Sequence, residues 1–274
     1  WVMLPIMDGF AKYLSYELPV LQITWARYFF TVVFTFPLMF FFFKKYLVWT
    51  DEPKLQLIRG LILLTANISF FYSISVISLP KALTLAFVAP LVVTAFSPIF
   101  LGESVGYRRW TAVIIGFIGS LVVIRPGFLE INLASLAALG TGIMYGFYLI
   151  ITRKLSTSDN PLLTLLLTGV VGAIIATTFM PFVWVSPTFN QWSIMAAIGF
   201  FACIGHLFII LSLKYADASK LAPFSYFEIV TNIIIAYYFF SDFPDTWTFL
   251  GLFIIVFSGI YISRRENIVK NIKI

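Results

Sequence analysis

The sequence has almost nothing from which to build a conventional catalytic or metal centre. Its 274 residues include one cysteine, Cys203, and one histidine, His206. A lone cysteine excludes an intramolecular disulfide, and a lone histidine excludes a multi-histidine metal cluster. No HExxH, phosphate-binding glycine loop or GxSxG is present, so neither metal nor cofactor is expected and the usual parts of catalysis are missing. Charge is scarce too. Only 11% of residues are charged and 61% are hydrophobic, far from the roughly half apolar, quarter charged mix of soluble domains. Connections such as Ser15 to Pro19 and Ile77 to Pro80 leave no room for a soluble domain.

What is present is apolar chain in runs near the ~20 residues that cross a bilayer. Charged and proline-marked breaks divide the sequence into ten such runs, at about 1–16, 20–43, 55–77, 80–101, 108–124, 132–152, 161–184, 192–213, 219–240 and 247–263. An all-α membrane protein with ten transmembrane helices is expected. The first run is short and opens on Trp1 rather than Met, so further residues are expected before it. No basic leader precedes an apolar stretch ending in small residues, so no cleavable signal is expected.

The runs repeat. Ile6-Met7-Asp8-Gly9-Phe10 returns as Ile143-Met144-Tyr145-Gly146-Phe147, 137 residues on. At an offset of 139, Gly60 matches Gly199, Asn67 matches His206, Ser73 matches Ser212, Lys81 matches Lys220, and Glu103 meets another acid, Asp242. Two five-helix halves, 1–127 and 128–274, are the mark of a carrier built around a central site.

The net charge of +6 follows topology rather than nucleic acid. With the N-terminus cytoplasmic, the inner side receives the pairs Lys44-Lys45, Arg108-Arg109, Arg153-Lys154 and Arg264-Arg265, with Lys54, Arg59, Lys214, Lys220, Lys270 and Lys273. The outer side receives only Lys81 and Arg125. By the positive-inside rule both termini are cytoplasmic. Five spans per half is an odd number, so the second half enters from the opposite face and the repeat is inverted.

Prolines interrupt the runs at Pro37, Pro90, Pro98, Pro181 and Pro223, each removing a backbone donor and inviting a kink. Small residues at Ala112, Gly116, Gly119 and Ser120, and at Gly142 and Gly146, let helices approach closely. Packing within the chain is the expected use, rather than a dimer seam.

The chemistry lies in a few intramembrane polar residues, each costing at least ~2.5 kcal/mol if charged at a helix centre. Asp8 and Lys12 lie one turn apart on one face, either neutralising each other or meeting substrate. Glu228 lies eight residues past Lys220, about 12 Å along a helix. It can bind a proton, pair with a cation brought by substrate, or pair with Lys12 or Arg27. Arg27 can clamp an anion, snorkel to headgroups or make a structural bond. Asn67 and His206 match under the repeat and sit deep in their spans. His206 is a proton-carrying candidate or an interhelical hydrogen-bonding group. Tyr72, Tyr145, Tyr148 and Tyr226 need partners for their hydroxyls and offer rings to a cationic or planar ligand.

The stretch Ser78-Leu79-Pro80-Lys81-Ala82, through Pro90-Leu91 to Leu101-Gly102-Glu103 and on to Gly116 and Gly119, resembles the fourth and fifth spans of the drug/metabolite transporter superfamily, EamA type. Asp8-Gly9-Phe10-Ala11-Lys12 followed by Trp25-Ala26-Arg27-Tyr28 is similar to the first two spans of its bacterial metabolite-uptake branch, which includes S-adenosylmethionine carriers. The second half departs at Ser241-Asp242, where Gly-Glu is expected, and at Glu228, beside an expected proline. The resemblance implies a bacterial inner-membrane protein, monomer or homodimer. Its cavity would open alternately to either side between the first, third, fourth, sixth, eighth and ninth spans, with the fifth and tenth as scaffold and Glu103 stabilising the fold.

The expected function is secondary transport of a small zwitterionic or cationic metabolite, an amino acid or an S-adenosylmethionine-like compound. Asp8, Lys12, Asn67, Tyr72, Tyr145, Tyr148, Tyr226 and Glu228 are the candidate binding residues. Glu228 and His206 are the coupling candidates, with a proton or counter-substrate as partner beside the membrane lipids. An organic-anion carrier using Lys12 and Arg27 is the alternative. An embedded enzyme using Asp8 or Glu228 as acid or base lacks a metal or nucleophile.

Overall fold

A computed structural model describes residues 2–42, 50–102, 106–125, 132–156, 159–215 and 227–272. Every regular element among them is helical: α1 Met3–Leu14, α2 Val20–Phe42, α3 Pro53–Val76, α4 Leu79–Ala86, α5 Ala89–Leu101, α6 Tyr107–Ile124, α7 Leu133–Leu155, α8 Pro161–Val183, α9 Phe189–Tyr215, α10 Phe227–Phe240 and α11 Thr246–Ile272. Seven stretches are long and apolar enough to cross a membrane, counting α4 and α5 together as one. α10 and the apolar part of α11 are shorter, at 10–17 residues.

Polarity is distributed inside out. Phe41, Phe182, Phe189, Phe239 and Ile99 are exposed, while Asp8, Lys12, Arg27, Arg59, Asn67, His206 and Glu228 are buried. Such a surface is stable only against hydrocarbon, and helices are suited to it because they bond their own backbone. The protein is a multi-pass membrane protein.

Local sequence sets the helix ends. Asn132 and Asn160 cap α7 and α8, each side-chain oxygen accepting from the backbone N–H two residues on, at 2.8 and 2.9 Å. Pro53 and Pro161 begin their helices where a missing donor costs nothing. Gly102 ends α5 in the left-handed region at φ 68°. Ser241, its counterpart in the repeat, follows α10 at φ 53°, so the serine takes the turn that glycine takes more easily.

The fourth span differs from a continuous, kinked helix. It breaks at Phe87 and Val88 into α4 and α5. Pro90 lacks the N–H that would bond the Ala86 carbonyl. Gly142 of α7 sits against that carbonyl, so close that a Cβ on it would lie 2.6 Å from the oxygen.

α1 packs on α9 and α10, α7 on α3, α4 and α5, α2 on α8 and α9, α3 on α8, and α6 on α11. A Cβ on Gly9 would meet Ile235 of α10, and one on Gly146 would meet Val92 of α5. Gly119 and Gly251 face each other where α6 crosses α11. The small residues therefore serve packing within the chain. The largest buried apolar cluster joins α1 and α9 to α3, α4, α7 and α10, and the polar residues lie among these same helices.

Candidate functional site

Asp8 and Lys12 share a face of α1 but not a bond. Lys12 Nζ donates to Asp242 Oδ2 at 2.6 Å, beyond the end of α10. It also reaches the Ile77 carbonyl at 3.4 Å and lies 5.3 Å from the centre of the Phe240 ring. Its charge is matched at the mouth of the bundle, which removes the mutual Asp8–Lys12 pair that the spacing allowed. Nor does Lys12 supply a partner for Glu228.

Arg27 does not snorkel. It is buried on α2, with its Nη2 2.7 Å from His206 Nε2 of α9 and its guanidinium 4.6 Å from the centre of the Tyr28 ring. A guanidinium only donates, so Nε2 accepts and the ring proton sits on Nδ1. Nδ1 lies 3.3 Å from Tyr148 Oη of α7, and Arg59 Nη2 of α3 donates to that same hydroxyl at 2.8 Å. Arg59 continues through Nε to Thr152 at 2.8 Å and through Nη1 to Thr168 at 2.5 Å and the Thr164 carbonyl at 3.2 Å. Asn67 donates to Tyr28 Oη at 3.0 Å and to the Leu63 carbonyl at 2.6 Å. One polar chain thus ties α2, α3, α7, α8 and α9 together.

Next to this chain the bonding stops. Asp8 Oδ1, Tyr145 Oη, Arg27 Nε and both amide atoms of Asn232 are buried without a hydrogen-bond partner among the described residues. Glu228 is buried one turn before Asn232 on α10 and makes no hydrogen bond among the described residues. Asp8, Arg27, Glu228 and Tyr145 lie close enough for electrostatic interaction. The Tyr145 and Tyr148 rings stack at 5.4 Å and 19°. Two carboxylates, one guanidinium and two tyrosines therefore share one neighbourhood, with an acid excess where unpaired charge is most costly. Such a set can hold a cation and the polar groups attached to it.

The structure brings Asp8, Tyr145, Tyr148 and Glu228 together, with Asn67 and His206 in the adjoining chain. Tyr72 is half-buried on α3 and makes no side-chain bond among the described residues. Tyr226, Glu103 and Lys220 lie outside the described residues. Sequence reasoning missed two residues. Its place in the sequence makes Arg59 a basic marker of the inner face, yet the side chain is fully buried. Asn232 was passed over, although it stands four residues from Glu228, the same spacing that joins Asp8 to Lys12. A groove of about 780 Å³ between α5 and α6 is lined by Ile99, Trp110, Ile114 and Leu121 among other apolar residues. It offers no charged group to a polar solute.

The profile of the EamA-like transporter family matches residues 6–125 and 132–264. The chain belongs to this family. It is a small-molecule transporter of the drug/metabolite transporter superfamily, works by alternating access, and resides in the bacterial inner membrane. An S-adenosylmethionine uptake transporter of Rickettsia felis is 26% identical over 260 residues, covering 95% of this chain and 88% of that protein. A riboflavin transporter of Vibrio cholerae is 28% identical, covering 68% and 63%. A pseudopaline exporter of Pseudomonas aeruginosa is 26% identical, covering 77% and 75%. A solved crystal structure superposes with a TM-score of 0.69 at 16% identity over 96% of each chain, which shows the same fold.

Proposed function

We propose that this EamA-family chain carries a small zwitterionic or cationic metabolite of the S-adenosylmethionine class. The single observation behind this reading is the pair of buried carboxylates, Asp8 and Glu228, beside stacked Tyr145 and Tyr148, with Lys12 and Arg59 among the described residues already committed elsewhere. Lys12 is held by Asp242, and Arg59 makes four hydrogen bonds. Uptake of one positive charge gives the buried acids the partner that an ionised carboxylate needs in an apolar interior. Arg27 Nε remains open to a carboxylate on the same ligand, which suits a zwitterion better than a free organic anion. A substrate of this chemistry also agrees with the S-adenosylmethionine uptake of the Rickettsia felis relative.

The architecture we propose is ten spans in two inverted repeats, residues 1–127 and 128–274, with both termini cytoplasmic. Pseudosymmetric packing supports it. Gly60 of α3 meets Val171 of α8, and its counterpart Gly199 of α9 meets Phe30 of α2. Coupling belongs to Glu228 rather than His206, because His206 Nε2 is occupied as an acceptor from Arg27 and a charged imidazole could not accept there.

Uptake by proteoliposomes of S-adenosylmethionine, amino acids, riboflavin and organic anions tests the reading. Cationic or zwitterionic substrates are expected to move, with Asp8→Asn and Glu228→Gln each lowering the rate at least ~10-fold, the effect of losing about 1.4 kcal/mol. A pH gradient should alter wild-type flux and leave Glu228→Gln indifferent to it. Competition by anions alone, or unaltered flux in both variants, would sink the proposal.

A further inference from the structure

Asn232 has no place in the mechanism so far, yet it is the most anomalous side chain in the bundle. It is 0% exposed, and neither its donor nor its acceptor is bonded among the described residues. Buried amides almost always find partners, because an unmade bond costs the full desolvation of the group. The geometry of α10 shows where the missing partner belongs. Glu228, Asn232 and Ile235 lie at i, i+4 and i+7, one stripe of the helix, and Ile235 is the residue met at Gly9 of α1. Asn232 lies about 4.5 Å along the axis from Ile235, and Asp8 about 1.5 Å from Gly9. The amide therefore stands on the stripe facing α1, at nearly the level of the unbonded Asp8 oxygen.

We infer that Asn232 is a specificity residue that reads a flat donor–acceptor edge of the substrate, of the aminopurine or carboxamide kind, next to the cation held by Asp8 and Glu228. A carboxamide presents one donor and one acceptor side by side, and bidentate pairing to an aminopurine edge is its natural geometry. The stacked Tyr145 and Tyr148 rings belong to the same neighbourhood and suit a planar group. An unbonded amide also gives discrimination of a kind that an apolar wall cannot, since a ligand lacking the edge leaves it unsatisfied. This assignment rests on the cation-site reading above.

The test compares S-adenosylmethionine with S-methylmethionine, which keeps the sulfonium, ammonium and carboxylate and lacks the purine. In proteoliposomes Asn232→Leu is expected to lower uptake of S-adenosylmethionine ~10- to 100-fold and to leave S-methylmethionine within about twofold of wild type. Asp8→Asn should depress both. The melting temperature of Asn232→Leu without ligand should hold or rise, because an unbonded amide is replaced by hydrocarbon of similar volume. A lowered melting temperature would make the amide a structural bond and overturn the inference. So would equal loss of both sulfonium compounds, or loss of neither, while Asp8→Asn still abolished uptake. Unimpaired uptake in Asp8→Asn would instead remove the cation site itself. A wild-type protein that moved neither compound would remove both readings.

Discussion

Two polar regions lie within a turn or two of each other in this bundle and obey opposite rules. Around Arg59 nearly every group is bonded: three side-chain hydroxyls and a carbonyl receive the guanidinium, and Tyr148 passes the chain on to His206 and Arg27. Around Asp8, Tyr145 and Asn232 the polar atoms are also buried, yet each of these residues keeps an atom without a bonding partner among the described residues. A satisfied network rigidifies a fold, whereas an unsatisfied one costs free energy unless something else supplies the bonds. On the function proposed above, that something is a transported solute, with Arg59 and its partners as the frame and the acid side of the bundle as the proposed site.

The largest expected effect breaks the frame. Arg59→Met leaves Tyr148, Thr152, Thr168 and the Thr164 carbonyl without their shared donor. Bonds to charged groups contribute about 1.5 to 3 kcal/mol each, so a loss of at least ~3 kcal/mol is expected in thermal unfolding of detergent-purified protein. If the melting curve were unmoved, the Arg59 network would be no frame and the contrast would fall. Asp8→Asn, by contrast, should retain wild-type melting while losing uptake.

The ion pair at the bundle mouth comes next. Lys12 and Asp242 are 7% and 28% exposed at their side chains, so the pair is neither dry nor fully screened. A double-mutant cycle with Lys12→Met and Asp242→Asn is expected to give a coupling of about 1 kcal/mol in stability. Uptake by Asp242→Asn should show a changed maximal rate with little change in apparent affinity, because the pair joins α1 to the end of α10 and touches no proposed ligand contact. A pure affinity loss in that variant would return Lys12 to the binding set.

How much of this contrast was legible in the sequence depends on what each residue leaves behind there. The apolar runs and the buried acids are statements about one helix at a time, and the described residues are helical along those runs, seven stretches being long and apolar enough to cross a membrane. Asp8, Tyr145 and Glu228 could be singled out because a charge or hydroxyl deep in an apolar run is conspicuous. Arg59 was not, since six residues from Pro53 it looks like a headgroup anchor, and only packing against Thr152, Thr164 and Thr168 of other helices makes it internal. The partner of Lys12 was hidden for the same reason, 230 residues away. The break at Phe87 was half visible: Pro90 announced a weakness, and Gly142 on another helix lets the freed Ala86 carbonyl be approached.

The smallest effects come from the finest cut through the contrast, two tyrosines one turn apart on α7. Tyr148 Oη is bonded to Arg59 and faces His206, whereas Tyr145 Oη is buried with no partner among the described residues. Removing each hydroxyl leaves the stacked rings intact, so the two phenylalanine variants differ only in the bond lost. Tyr148→Phe is expected to cost about 1 kcal/mol of stability or slightly more and to alter uptake only in proportion to the folded protein recovered. Tyr145→Phe removes a hydroxyl that has no bonding partner among the described residues, so its melting temperature should hold or rise by a degree or two. Its apparent affinity for substrate should weaken by up to ~10-fold, the worth of about one hydrogen bond. Melting curves and concentration-dependent uptake on the same preparations decide the matter. If Tyr145→Phe proved the less stable of the two, its hydroxyl would belong to the frame, and the boundary between frame and site would have to move past α7 toward Asp8 and Glu228.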